Sequence, residues 1–173
     1  MDHINYLQII EDLTRRALWE VKNVIDCVPD AMWERKYCYQ PLWKHIFHMF
    51  HSLDTWYINP KDDAYEQPSV WEEGLDDLDH VSSKKLSRKE IEDYYETISK
   101  KIMDYVAGLK ETELLIYPAN CPYTKFTLIL GQFRHLHTHM GMIMGFIVEA
   151  TGKWPRVLGL ENPIPKGAYE KFD

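Results

Sequence analysis

Four long stretches of the chain carry apolar residues that recur at steps of three and four positions. This spacing places the apolar residues on one face of an α-helix. Turn-forming residues, including Pro29-Asp30, Asn59-Pro60 and Gly108, separate the stretches. No segment shows a convincing alternation of apolar and polar residues, as a half-buried β-strand would. The pattern therefore predicts four amphipathic helices that bury their apolar faces against one another.

The predicted helices cover residues 1–28, 41–57, 87–108 and 127–151. Pro41 suits the first turn of a helix, and Ser87 with Glu90 has the spacing of a capping box. The connection over residues 60–86 is long enough to suggest a functional or lid-like segment. The last 20 residues, which contain three prolines, should wrap the outside as an ordered tail. We expect an all-α four-helix bundle in one domain, residues 1–173, with a long connection between helices 2 and 3 and an irregular C-terminal tail.

Charge and composition exclude several classes of function. The formal net charge is −7, which argues against nucleic acid and against an anionic membrane surface as partners. The most apolar stretch, Met140 to Val148, is far shorter than the roughly 20 residues that span a bilayer. No secretion signal is visible at the N-terminus. Three scattered cysteines without a CxxC pair suit a reducing compartment, so we expect a cytoplasmic protein.

Six of the eight histidines fall in two clusters, one on each of two predicted helices. On the fourth helix, His135 and His139 are four residues apart and lie about 40° apart around the axis, one turn above the other. Their imidazoles can reach one point, which is how several helical metal sites begin. His137 lies about 200° around the helix from His135 and should point elsewhere.

Two neighbouring histidines do not by themselves make a metal site, because a histidine in a bundle is usually a satisfied polar residue. This pair, however, lies among apolar residues, and burying two imidazoles there is costly without a partner such as a metal ion. A third ligand from a facing helix would strengthen the prediction. The second helix offers His45, His48 and His51, and spacing alone does not choose among them.

Two segments resemble the DinB/YfiT-like superfamily. The segment from His48 to Tyr57 is similar to one in which a ligand histidine is followed by an apolar residue, a Leu-Asp pair and an aromatic residue. The segment from Phe133 to Gly141 resembles the family's Arg-His-x-x-x-His-x-Gly motif, and the turn Lys153-Trp154-Pro155 also fits. The resemblance extends over nearly the whole chain in length, helix order and the long connection. It implies that His48, His135 and His139 are metal ligands.

Three neutral imidazoles leave the full charge of a divalent ion and at least one open coordination position, which is typical of a catalytic site. Zinc, nickel and iron(II) all suit imidazole ligands. The resemblance implies a homodimeric enzyme acting on a small molecule. The ion would activate a low-molecular-weight thiol, as in a thiol-dependent S-transferase, or a water molecule, as in a hydrolase.

Other residues have expected roles around the ion. Each ligand histidine should donate its second N–H to an oxygen, for which Asp54 and Gln132 are candidates. Trp56, Tyr57 and Arg134 should lie near the mouth of the site.

Two other interpretations remain open. The protein could be a non-catalytic metal-binding or stress-response interaction protein, or an apolar bundle with incidental histidines. A pocket opening onto the three histidines favours an enzyme, whereas a fourth ligand from the protein favours a structural site.

Overall fold

A computed structural model describes residues 5–173, and it consists mainly of four helices. They are α1 (Tyr6–Asp26), α2 (Leu42–Trp56), α3 (Arg88–Gly108) and α4 (Lys125–Thr151). The predicted all-α four-helix fold is confirmed. The part of the predicted first helix that falls on residues 1–4 lies outside the described residues. No helix within residues 5–173 has the length and apolarity needed to cross a membrane.

The helices are arranged so that α1 and α2 each pack against both α3 and α4. The two helices with clustered histidines, α2 and α4, are therefore direct neighbours. The two helices contribute large apolar side chains with almost no exposed surface to the core: Leu42, Ile46, Phe47, Phe50, Ile129, Ile143 and Ile147. Burial of this surface fixes how α2 is rotated relative to α4.

Local capping explains where the helices begin and end. The capping box of Ser87 and Glu90 is formed at the start of α3, and Gly152 ends α4 in the left-handed conformation, with φ of 68°. The fourth helix begins at Lys125, two residues before the predicted start. The reason is that the Thr124 hydroxyl accepts the N–H of Thr127 at 3.1 Å and caps the first turn.

A short hairpin precedes α2 and was not predicted. Lys36–Tyr37 pairs antiparallel with Gln40–Pro41. The two turn residues, Cys38 and Tyr39, have φ of 47° and 72°. Two-residue strands show no alternation in sequence, and non-glycine residues with positive φ are uncommon. Because Pro41 belongs to this hairpin, it is the cap of α2 and not its first helical residue.

The long connection between α2 and α3 is folded along the outer side of α2. Gln40 Nε2 and Lys44 Nζ both donate to the backbone carbonyl of His80, and His48 Nδ1 donates to the carbonyl of Asp76 at 2.6 Å. Donors spaced four residues apart lie on one face of a helix. The connection is thus attached to a continuous line of polar side chains that starts in the hairpin and continues along α2.

The C-terminal tail is ordered along α1, as predicted. Glu20 accepts the backbone N–H of Leu158 at 2.7 Å, and Asn23 Nδ2 donates to the carbonyls of Arg156 and Lys171. Burial raises the pKa of the Glu20 carboxyl, whereas this backbone hydrogen bond lowers it.

Asp54 is a buried carboxylate at the centre of a network that joins α2, α3 and the long connection. It accepts hydrogen bonds from the hydroxyls of Tyr65 and Tyr94 at 3.0 and 2.9 Å, and from Lys101 Nζ at 2.5 Å. Burial is the main cause that raises the pKa of Tyr65 to about 12, so its hydroxyl remains a donor.

Replacing Asp54 with alanine should lower the free energy of unfolding by about 2–3 kcal/mol, because buried hydroxyls and a cation lose their acceptor. Chemical denaturation of the metal-free protein measures this. Asp104→Ala is the matched control, since Asp104 forms an exposed pair with Lys100 within α3 and should change stability little. Equal effects of the two substitutions would contradict a stabilising role for the Asp54 network.

Candidate metal centre

Three histidines from α2 and α4 meet at one point between the helices. The ring centroids are 5.4 Å apart for His48 and His135, 4.8 Å for His48 and His139, and 4.4 Å for His135 and His139. One ring nitrogen from each residue lies within 4.8 Å of the others, and all three side chains are partly buried. The structure therefore brings together the three residues that the sequence analysis proposed, in a cluster that could hold a metal ion.

The helical pair already has the separation that two ligands of one ion require. His135 Nε2 and His139 Nε2 are 3.1 Å apart. Two imidazole nitrogens bound tetrahedrally at about 2.0–2.1 Å from one ion are roughly 3.3 Å apart. The His48 nitrogen has to approach them by at most about 1.5 Å to complete that geometry.

The orientation of His48 is fixed by the long connection. Its Nδ1 lies 2.6 Å from the backbone carbonyl oxygen of Asp76. Because a carbonyl can only accept, Nδ1 carries the proton, and Nε2 keeps a free lone pair when the ring is neutral. This is the tautomer that a metal ligand needs.

Two side chains contact the carboxylate of Asp76. Its Oδ1 accepts the indole N–H of Trp71 at 2.9 Å, and its Oδ2 lies 3.5 Å from His51 Nδ1. His51 Nε2 lies 2.7 Å from Gln67 Oε1, and a neutral ring can donate to only one of these two oxygens. The acceptor of His48 is thus anchored by its own side chain.

The expected partners Asp54 and Gln132 do not form hydrogen bonds with the three histidines. Asp54 lies six residues after His48, about 240° around the helix, and so faces α3. Gln132 is 3.5 Å from the hydroxyl of Ser52. Sequence analysis missed Asp76, whose contribution is a backbone carbonyl and leaves no signal in residue type. The Nδ1 atoms of the two α4 histidines are buried and have no partner among residues 5–173.

The remaining clustered histidines have other roles. His45 is buried and donates from Nε2 to the carbonyl of Tyr37 at 2.7 Å, which ties α2 to the hairpin. His51 contacts the long connection. His137 is exposed and bonds to the backbone of its own helix, on a different side from the cluster, as the helical geometry predicted.

Electrostatics favour the neutral form of the α4 pair. Burial, then the neighbouring His135 and His48, lowers the pKa of His139 to about 4. Burial, followed by His48 and Arg134, also lowers the pKa of His135. Metal binding requires unprotonated imidazole, so little proton competition is expected at neutral pH.

An open groove of about 350 Å³ lies between α2 and α4 beside His135. Trp56 and Arg134 line it, and His135 is the one histidine of the cluster in its lining. Tyr57 does not line the groove: it is 1% exposed, and its hydroxyl shares a hydrogen bond with Thr14 at 2.9 Å. The groove lining consists of Ser52, Trp56, Tyr123, Thr127, Leu128, Gly131, Gln132, Arg134 and His135.

No protein-family profile, curated protein or solved structure matches the chain. The resemblance to the DinB/YfiT-like superfamily therefore stays a prediction that rests on the two histidine segments.

The hydrogen bond to Asp76 predicts the tautomer of His48. Nitrogen NMR of the metal-free protein at pH 8 should show His48 protonated at Nδ1 and unprotonated at Nε2. Asp76→Ala removes the bonds that anchor the loop, so the ring should become a mixture of tautomers. Asp79→Ala, at an exposed position three residues along the same connection, is the control and should leave the signal unchanged. A predominant Nε2–H form in the native protein would contradict the assignment.

Proposed function

We propose that this protein is a metal-dependent enzyme that acts on a small molecule, either as a thiol-dependent S-transferase or as a hydrolase. The observation that carries the proposal is the convergence of His48, His135 and His139 beside an open groove. The resemblance to the DinB/YfiT-like superfamily supports the same function, and it is also the reason to expect a homodimer.

The donor set fits a divalent cation. Without an ion, the contact between His135 Nε2 and His139 Nε2 uses one ring proton and leaves a buried donor and a buried acceptor at the two Nδ1 atoms. Unsatisfied buried groups of this kind cost about 1–3 kcal/mol each. Coordination through both Nε2 atoms would replace their mutual contact by bonds to the ion and leave a proton on each Nδ1, so the metal–nitrogen bonds, including that of His48, would have to offset the cost that remains there. Zinc, nickel or iron(II) suits three imidazoles.

Each part of the site has a role in the proposed chemistry. An ion held by the three histidines would lower the pKa of a bound thiol or water and so supply the nucleophile near neutral pH. The histidines bind as neutral ligands, and Asp76 holds His48 in the correct tautomer. The groove admits the second reactant next to His135.

A catalytic site is favoured over a purely structural one by the number of ligands. Within residues 5–173, the cluster contains three metal-ligating side chains and no fourth from the protein. Structural zinc sites usually have four protein ligands, whereas catalytic sites keep a position open. A non-catalytic metal-binding or interaction protein is the alternative that an absence of turnover would support.

Removing any one ligand should abolish stable metal binding. His48→Ala, His135→Ala and His139→Ala should each lower the affinity for zinc by more than about 100-fold, since even indirect partners of ligands contribute 10–100-fold. Elemental analysis and titration calorimetry measure this, with circular dichroism to verify folding. His137→Ala is the control, because His137 lies on the same helix but outside the cluster. Metal retention in all three ligand variants would refute the proposed centre.

The metal-loaded protein should also turn over a substrate. With cysteine or glutathione and chlorodinitrobenzene, a transferase forms the C–S bond and releases chloride, while the thiol proton goes to solvent. With activated esters, a hydrolase releases acid and alcohol. Either activity should be lost on chelation and in His139→Ala but kept in His137→Ala. If the protein binds metal tightly but both panels give no turnover above the chelated control, the non-catalytic alternative is favoured.

A further inference from the structure

We infer that the groove beside His135 binds a small molecule that carries a carboxylate, held by Arg134, and a flat apolar portion, held between Trp56 and Tyr123. This inference assigns a substrate class to the proposed active site, and to that extent it rests on the proposed function.

The charge of the groove supports an anionic ligand. Arg134 is the one arginine, lysine or carboxylate residue in the groove lining, although the chain as a whole has a net charge of −7. Among residues 5–173, its guanidinium takes part in no ion pair. An unpaired guanidinium presents a planar fork of donors that matches a carboxylate. A positive group with no carboxylate in the groove lining and no ion-pair partner therefore favours a negative ligand.

The walls of the groove support a flat apolar portion. Trp56 from α2 is 40% exposed, and Tyr123 from the start of the α4 region is 46% exposed. Rigid aromatic rings supply a large contact area at a low cost in conformational entropy. The volume of about 350 Å³ lies within the range of small-molecule pockets.

Helical spacing connects the groove to the histidine cluster. On α2, Ser52 and Trp56 follow His48 at steps of four residues and so lie on the same face, one and two turns further along. On α4, Gly131 precedes His135 by one turn. A carboxylate held by Arg134 would therefore lie beside His135, at the end of the groove nearest the cluster, and the flat portion at Trp56 and Tyr123 would lie further from the cluster.

Gly131 keeps part of this groove open. A Cβ placed there would meet no atom within 4 Å outside its own stretch of helix, so a larger side chain would begin in groove space. Leucine is also a better helix former than glycine. Gly131→Leu thus blocks the groove without an expected loss of folding. Gly145→Leu is a matched control on the same helix, since Gly145 is likewise free of neighbours and does not line the groove.

The test compares two probes of nearly equal shape, phenylacetate and its neutral amide, phenylacetamide. Binding is measured by calorimetry or NMR on metal-free protein kept in chelator, and then on zinc-loaded protein. The native protein should bind the acid at least about tenfold more tightly than the amide, in line with a charge-assisted hydrogen bond. Arg134→Gln should remove this preference, whereas Arg15→Gln, at an exposed arginine paired with Glu11, should keep it. Gly131→Leu should weaken both probes, and Gly145→Leu neither.

Three results would overturn the inference: equal binding of acid and amide to native protein, a preference that survives in Arg134→Gln, or binding unaffected by Gly131→Leu. If the acid binds only when zinc is present and Arg134→Gln has no effect, the carboxylate is on the ion and the inference fails. Zinc affinity is measured in the same samples and should not fall in Arg134→Gln, since the guanidinium is not a ligand. If the native protein does not bind zinc, the proposed function is refuted. The measurements on metal-free protein still test whether the groove binds the carboxylate.

Discussion

Helix α2 is covered on nearly all sides, and this burial determines much of the rest of the structure. It packs against α3 and α4, and the long connection covers its outer side. A polar side chain on such a helix must find its partner inside the protein. Lys44 donates to the carbonyl of His80, His45 to that of Tyr37, and Asp54 accepts from α3. The hydrogen bonds of Lys44 and His48 attach the connection to α2.

His48 satisfies this structural requirement with one ring nitrogen and leaves the other available to bind a metal ion. One ring nitrogen is satisfied by the carbonyl of Asp76, as burial demands, and the other is left facing His135 and His139 on α4. The same helix–helix packing that excludes water thus gathers three imidazoles. Burial also keeps the α4 pair neutral by lowering the pKa values of both residues.

How much of this could be predicted depends on whether a feature is local. The four helices follow from apolar spacing, the start of α3 from Ser87 and Glu90, and the pairing of His135 with His139 from the rise and turn of one helix. The choice of His48 over His45 and His51 required the rotation of α2 about its axis, which tertiary packing sets. The helical angle already excluded Asp54 as a partner of His48, so that error was avoidable. The carbonyl of Asp76 and the positive φ of Cys38 and Tyr39 depend on chain folding and leave no mark in residue type.

The attachment of His48 to the connection has a thermodynamic consequence. A ligand that binds His48 only in its ordered orientation also stabilises the contacts that hold this orientation. Conversely, formation of those contacts strengthens ligand binding. The requirement here includes Asp76, and through it Trp71 and His51. The ordering of the connection and the formation of the three-histidine geometry are therefore thermodynamically coupled. The acidic residues of this segment also stabilise α2. Burial lowers the pKa of Lys44, whereas the nearby carboxylates of Asp77 and Asp76 raise it and so favour the charged form of the lysine. An acidic connection is thus suited to cover a helix that carries a buried lysine, and in covering it the connection also orients the proposed metal ligand.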